Sequence, residues 1–520
     1  MDNPPTLGIA EPVAPSASPI PEQIRELALS LFDYTQELHA LGAAERMILE
    51  QAALLPAAPA RRTKKKPYQA ALELVRAQPS LELEAEQQKM LAAVVVLWRR
   101  ALRLKDLKHL KLTAVQQRAA LTMVAILHIA EGLDSSGSGE TAILKVEPSA
   151  SGMRIIVEGP SVAVDAAEAQ QQARLWKKLG YPAVEVLELS EAATWLIPYP
   201  QPAEKIGILQ NDSLAEAGRK VMLYHFAQVL RHEDGTRLGE DIEALHDMRV
   251  ATRRLRAAFE VFSEAFEPGA LKPHLKGLRA TGRALGSVRD LDVFMEKAQR
   301  YIETLPEEKR GGLDPLLLQW KEQRDAARGR MLEHLNSWVY ASFKEKFNLF
   351  LHSPGAGVRS QPSDQLAPDR VAELAPVLIY SRTAAARAYA PFLTDAPIER
   401  LHALRIEFKK LRYTVEYFSE VLGKRSVEVI NDLKLLQDHL GDLNDAQVAS
   451  LILGEFIKGW EASQQTLPIQ ERQSIEEVVN YLAVRYAEQH HLQVTFQAAW
   501  EAHFDKRGFR RNLAQAVSVL

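Results

Sequence analysis

The chain has no cysteine among its 520 residues, which excludes disulfides, thiolate metal sites and a cysteine nucleophile. Aromatic residues are scarce, at 7%, and the formal net charge is only −3. A generally basic coat is therefore excluded, and any anion binding must be local. No apolar run approaches the roughly 20 residues of a membrane helix. "LAAVVVLW" (91–98) is too short and runs straight into Arg99 and Arg100, so it reads as buried helix. The opening "MDNPPTLGIAEPVAPSASPIP" (1–21) lacks a basic region followed by an apolar core. It reads as a disordered arm rather than a secretory signal, with the cytoplasm as default compartment. Gly-rich phosphate loops, GxSxG elbows and HExxH motifs are also missing, and "SSGSGE" (135–140) reads as a turn.

What is present is 47% hydrophobic and 25% charged, the texture of a globular protein; the length predicts about three or four domains. After the arm, residues 22–140 read as helices, beginning with "IRELALSLFDYTQELHALG". "TAILKVE" and "MRIIVEG" around "PSASG" predict a hairpin, followed by the helix "VDAAEAQQQARLWKKLG", so that 141–196 forms a small α/β appendage. The Pro-rich stretch within 197–211 reads as a linker. Two helical segments follow, 212–351 and 370–520, separated by a second linker at 352–369.

Those two segments are repeats. Aligning His246 with His402 places Arg249 on Arg405, Arg253 on Lys409, Arg254 on Lys410 and Arg256 on Arg412. The apolar positions Leu245, Met248, Thr252, Leu255, Phe259 and Phe262 fall on Leu401, Leu404, Phe408, Leu411, Val415 and Phe418. Further on, "LRATGRALGSVRDLDV" (278–293) parallels "LKLLQDHLGDLNDAQV" (433–448), with Asp290 on Asp445 after a one-residue shift.

On a helix turning by ~100° per residue, His246, Arg249, Arg253 and Arg256 share a sector of about 80°, beside the apolar face. They run along roughly 15 Å of the helix axis. His402, Arg405, Lys409 and Arg412 form the second row. Cations aligned in this way repel one another, and a solvated helix would ordinarily alternate its charges. Two matching rows suit an extended polyanion, with Arg as bidentate donor, Lys as point charge and His as a pH-dependent N–H donor. The structural alternative pairs them with Asp290, Asp292, Asp442 and Asp445 inside the bundle. A mixture is expected, with Asp290 and Asp445 orienting some of the basic side chains.

The duplicated H-x-x-R-x-x-x-[RK]-[RK]-x-R pattern, with "LGSVRDLDV" and "LGDLNDAQV", resembles the CHAD family (conserved histidine α-helical domain) over residues 212–515. The resemblance implies two pseudo-symmetric four-helix bundles enclosing a basic groove, which binds inorganic polyphosphate, often at polyphosphate granules. Its binding residues would be the two rows just named. The carry-over adds Arg279 and Lys434, aligned with each other, and Arg231 and Arg387, each fifteen residues before its histidine. Arg254 and Lys410 point away from the rows but remain candidates. Lys276, Arg283 and Arg289 have no basic counterpart in the second repeat, so the groove would be asymmetric. A metal-binding reading of His246–Asp247 is disfavoured, because Ala403 stands where Asp247 does and the neighbouring arginines repel a divalent cation.

Residues 22–195 are similar to the HD-like C-terminal domain of the exopolyphosphatase/guanosine-pentaphosphatase family, through "IRELALSLFDYTQELHALGAAERMILEQAALL" and "LTAVQQRAALTMVAILHIAEGLDSS". The departures matter. Pro56 and Ala57 replace the family's His-Asp, and only His128, Glu131 and Asp134 are left as potential ligands. This part therefore reads as a degenerate, non-catalytic module. Its basic clusters, "RRTKKK" (61–66) and Arg99, Arg100, Arg103, Lys105, Lys108 and Lys111, are either solvated or a second polyphosphate contact, which would add affinity through effective concentration.

The expectation is a mainly α, non-enzymatic protein with no cofactor and no metal, binding polyphosphate, with a polyphosphate-metabolising enzyme as a candidate partner. Nucleic acid is the alternative polyanion, but single-strand binders add stacking rings, and only Tyr413 lies near the basic rim. A metal-dependent polyphosphatase is the remaining alternative.

Overall fold

The computed structural model describes residues 20–55, 67–77, 83–98, 112–189, 197–360 and 368–520. The expected arm, apart from residues 20 and 21, and both N-terminal basic clusters lie outside the described residues. The chain divides into two units: 1–197 with 337–346, and 198–336 with 347–520. No described helix is long and apolar enough to cross a membrane.

In the first unit, α1 (Pro21–Tyr34), α2 (Gln36–His39), α3 (Ala43–Leu54), α4 (Pro67–Arg76), α5 (Ala85–Trp98) and α6 (Ala114–Gly132) surround one core. Helix α6 starts where the Thr113 side chain accepts a hydrogen bond from Gln116 N and the Gln116 side chain accepts one from Thr113 N, a capping box satisfying two end-of-helix donors. Beyond it, α6 is buried on nearly every face, as the continuously apolar "LTMVAILHIA" requires.

The predicted hairpin is present as antiparallel β1 (Ala142–Pro148) and β2 (Gly152–Glu158). Helices α7 (Val162–Gln172) and α8 (Arg174–Lys178) then carry the chain back to β3 (Ala183–Glu188), which pairs parallel to β2. The sequence reading missed β3, because "AVEVLE" gains its identity as a strand only from the central strand beside it. Gly152 is required there: a Cβ would lie 2.2 Å from Ala183 O.

The second unit is the repeat. Its first half contains α9 (Leu214–Arg231), α10 (Glu233–Leu238), α11 (Ile242–Val261), α12 (Lys272–Glu303) and α13 (Asp314–Asn336); α14 (Trp338–His352) follows, belonging to the first unit up to residue 346 and to the second from 347. Its second half contains α15 (Val371–Arg387), α16 (Ile398–Tyr417), α17 (Ser426–Gln465), α18 (Glu476–His503) and α19 (Arg507–Val517). All twelve aligned apolar positions on α11, α16 and their ends are buried.

The two halves are related by a pseudo-two-fold, and named contacts locate its axis. Phe262 and Phe418, which occupy equivalent positions, touch edge to face with centroids 5.6 Å apart. Arg254 lies 3.7 Å from Glu416, and its equivalent Lys410 lies 3.1 Å from Glu260, the equivalent of Glu416. Such reciprocal contacts are the signature of an isologous interface. The Pro-rich stretch after residue 197 is anchored on this unit: Ile206, Gly207 and Ile208 donate their backbone N–H groups to the Glu420 carboxylate at 2.7, 2.7 and 3.1 Å.

Candidate functional site: a cationic groove between equivalent helices

Helices α11 and α16 run side by side in the second unit, each turning its apolar face into its own half. Asp241 caps α11 by accepting a hydrogen bond from Glu243 N at 2.9 Å, and Pro397 precedes α16, where its fixed φ suits a helix start. These starts set the phase in which the basic rows emerge. Arg253, Arg405 and Lys409 are half-buried and Arg256 is exposed. Among the described residues, none of these four has a carboxylate within ion-pairing distance. The Nε atoms of Arg253 and Arg405 are buried without a hydrogen-bond partner.

The rows face each other closely enough to shift one another's protonation. Burial lowers the Lys409 ammonium to about 8, with Arg253, Arg256 and Arg405 adding repulsion and Glu260 opposing them. Arg405 is also lowered, by burial first and then by Arg253 and Arg249 across the groove, while Asp445 favours its charge. Arg256 is lowered by burial and by Arg279 and Arg283 on α12. Desolvated like charges without counter-ions disfavour the free state, and an anion in the groove relieves that cost.

The remaining candidates divide. Arg249 donates to Asp290 Oδ1 at 2.7 Å. Burial raises the Asp290 carboxyl; Arg249 opposes the shift and Asp445 adds to it. Asp445 lies 3.6 Å from Lys297 of the other half, and Asp442 lies 3.8 Å from it. His402 Nδ1 lies 3.0 Å from Asn444 Oδ1, which can only accept, and His246 is half-buried on the equivalent turn. Arg289 is half-buried with its Nε unpartnered.

Arg412 requires a correction. Expected on the rim, it is 7% exposed, with its guanidinium 5.3 Å from the Tyr413 ring and its Nε 3.4 Å from Glu416. Packing against aromatic neighbours that the first repeat lacks draws it inward. Arg254 and Lys410 hold the halves together through Glu416 and Glu260. Arg387 bonds Asp505 and Phe504 O and stacks on the Phe504 ring, and so is engaged away from the rows. Arg231, Lys276 and Lys434 are exposed, and no described contact joins them to the groove.

Sequence reasoning missed Arg382 of α15, which lines the space between the helices together with Arg253, Arg256, Arg279, Lys409 and Lys410. Its equivalent in the first repeat, counted from the helix starts at Leu214 and Val371, is the buried His225, so comparison of the basic rows hid it.

In the first unit, His128, Glu131 and Asp134 do not converge. His128 Nε2 lies 3.4 Å from Trp98 O, Glu131 accepts from Trp98 Nε1, and Asp134 accepts from the backbone N–H groups of Ile20 and Gly139. Among the described residues no cluster of three or more His, Asp or Glu could hold a metal ion.

Comparison with known proteins matches the geometry: residues 220–454 fit the model of the CHAD domain. The chain contains a CHAD domain. The match covers α11, α12 and α16 entirely, and with them both cation rows. Two uncharacterized proteins from two strains of Mycobacterium tuberculosis are 29% identical to this CHAD-containing chain over 216 residues, covering 40% of it and 39% of each relative. The match thus spans about two-fifths of those relatives' length. Among solved structures, the CHAD domain from the plant Ricinus communis is similar at 24% identity and a TM-score of 0.47, covering 59% of this chain and 98% of that one. PptA from Streptomyces chartreusis is similar at 16% identity and a TM-score of 0.41, covering 56% and 99%.

Proposed function

We propose that the CHAD domain binds inorganic polyphosphate without hydrolysing it, holding the chain in the groove between α11 and α16. One observation carries the proposal: Arg253, Arg256, Arg405 and Lys409 form facing rows, partly desolvated and without carboxylate partners. A flexible polyanion supplies the missing counter-charges, through bidentate contacts to the arginines and counterion release. The family resemblance read from the repeated motif supports phosphate polymer over other polyanions. So does Tyr413, the ring nearest the rim: it is fully buried and offers no stacking platform of the kind nucleic-acid binders use. On this reading the protein resides on polyphosphate granules, and the first unit supplies no catalysis.

The test is a competition titration with labelled long-chain polyphosphate at physiological salt, challenged with single-stranded DNA, RNA and unlabelled polyphosphate, while orthophosphate is measured. Displacement by polyphosphate alone, with no orthophosphate released, is expected. Equal displacement by nucleic acid would reduce the groove to a generic polyanion site, and orthophosphate release would make the protein an enzyme.

A further inference from the structure

The two sides of the α11–α16 pair are not equivalent, although their backbones are. On the first-repeat side a cavity of about 350 Å³ opens at the C-terminal end of the rows, its cations being Arg253, Arg256, Arg279, Arg382, Lys409 and Lys410. The repeat alignment identifies what stands at the mirror position. Where the cavity has Ala257 and Val261, the second repeat has Tyr413 and Tyr417, both fully buried; where it has Arg382, the first repeat has the buried His225, whose ring meets that of Tyr417 edge to face. Tyr417 donates its hydroxyl to Arg254 O at 2.6 Å and fills the space. Arg283, beside Arg256, is replaced by Asp438. One side is hollow and cationic; the other is filled and carries a carboxylate.

The cavity also ends the track. Beyond Lys409 and Lys410 the only carboxylate in its lining is Glu260, and further along α11 the axial Phe262–Phe418 contact closes the space between the helices. A polyanion following the rows from the His246 end meets a wall there.

Polyphosphate chemistry distinguishes an end from a middle. An internal phosphate carries one negative charge and two free oxygens. A terminal phosphate has three free oxygens and, like a phosphomonoester, about −1.5 to −2 charge at pH 7. The densest cation cluster on the track matches the end.

We propose that this cavity captures the terminal phosphates of a polyphosphate chain, so that the protein grips each chain by one end and lays the remainder along the rows. The inference rests on the polyphosphate reading above. It makes the site single and one-sided despite the duplicated fold.

The experiment compares long-chain polyphosphate with free ends, the same polymer with both ends blocked as phosphoramidates, and inorganic tripolyphosphate, each titrated against the full chain. Free-ended polymer is expected to bind more tightly than blocked polymer, and tripolyphosphate to compete with it. Ala257→Tyr, which fills the cavity as Tyr413 fills its mirror, and Arg382→Gln should each weaken tripolyphosphate on the order of tenfold, by loss of charge-assisted hydrogen bonds. Both should weaken free-ended polymer and tripolyphosphate more than blocked polymer, which shares Arg253, Arg256 and Lys409 but presents no terminal phosphate, and the mirror-side control Asp438→Asn should change neither ligand. Equal binding of free and blocked polymer, with no competition by tripolyphosphate, overturns end capture and leaves groove binding standing. Undiminished tripolyphosphate affinity in folded Ala257→Tyr and Arg382→Gln also overturns it. Failure of every polyphosphate to bind removes the underlying reading and this one with it.

Discussion

In the first repeat, Arg249 is fixed by Asp290 and Arg256 stands exposed beside Arg279 and Arg283. In the second, Arg405 has no ion pair among the described residues and Arg412 is folded away against Tyr413 and Glu416. The same helix phase delivers both rows, because both helices bury the same apolar face. Their side chains are then sorted by neighbours that differ. A duplicated motif therefore specifies where cations emerge from a helix, while its surroundings decide which of them remain available. Binding should be shared across the groove by Arg253, Arg256, Arg405 and Lys409 rather than by eight equal residues.

The strongest way to break this comparison is to reverse one charge in each row. Arg253→Glu with Lys409→Glu should lower polyphosphate affinity by more than about a hundredfold, through loss of two contacts and introduction of repulsion. Circular dichroism should show an unchanged helix content. Retained affinity in the folded double mutant would remove the facing rows from the account.

Salt sharpens the count of contacts. If four cations carry the binding, log Kd plotted against log salt should have a slope of roughly 3, by the single-strand coefficient of about 0.7 per phosphate. A slope near twice that value would restore the full eight-residue site.

The pH dependence tests Lys409 in particular. Its ammonium is lowered to about 8, so affinity should fall as pH rises through that value, and Lys409→Gln should flatten this part of the profile. The stability effect has the opposite sign. Between the lowered value and the ordinary lysine value the unfolded chain binds more protons, so ligand-free stability gains from this group as pH rises. At neutral pH, ligand-free Lys409→Gln should accordingly melt a few degrees above wild type while binding more weakly. Calorimetry with and without polyphosphate measures both.

The smallest effect on binding is expected at Arg387. Its hydrogen bonds and its stacking on Phe504 are internal to the second repeat. Arg387→Gln should cost about 1–2 kcal/mol of stability and leave polyphosphate affinity unchanged. A weaker Kd without loss of stability would return Arg387 to the site.

Legibility in the sequence followed the range of the interactions involved. Helical rows, the hairpin and the internal duplication depend on period and local spacing, and "LHDMRVATRRLRA" with "LHALRIEFKKLRY" displays both rows in the order of residues alone. Strand β3 was illegible because its pairing partner lies across a helical crossover. Arg382 was hidden because it stands outside both rows, with no basic equivalent in the first repeat to mark it. Arg412 was misplaced because its helix phase agrees with the row while Tyr413 and Glu416 hold it inside.

By itself, then, the amino-acid sequence determined the mainly helical character, the duplication and the presence of two matched cation rows. All three follow from which residues recur every three or four positions and from a pattern written twice. Only the tertiary structure decided that Phe262 and Phe418 meet at the pseudo-two-fold, that Asp290 holds Arg249, and that Tyr413, Tyr417 and His225 fill one side of the groove and leave the other open. Those outcomes depend on volumes and charges brought together from residues far apart in the chain, and local spacing carries no record of them.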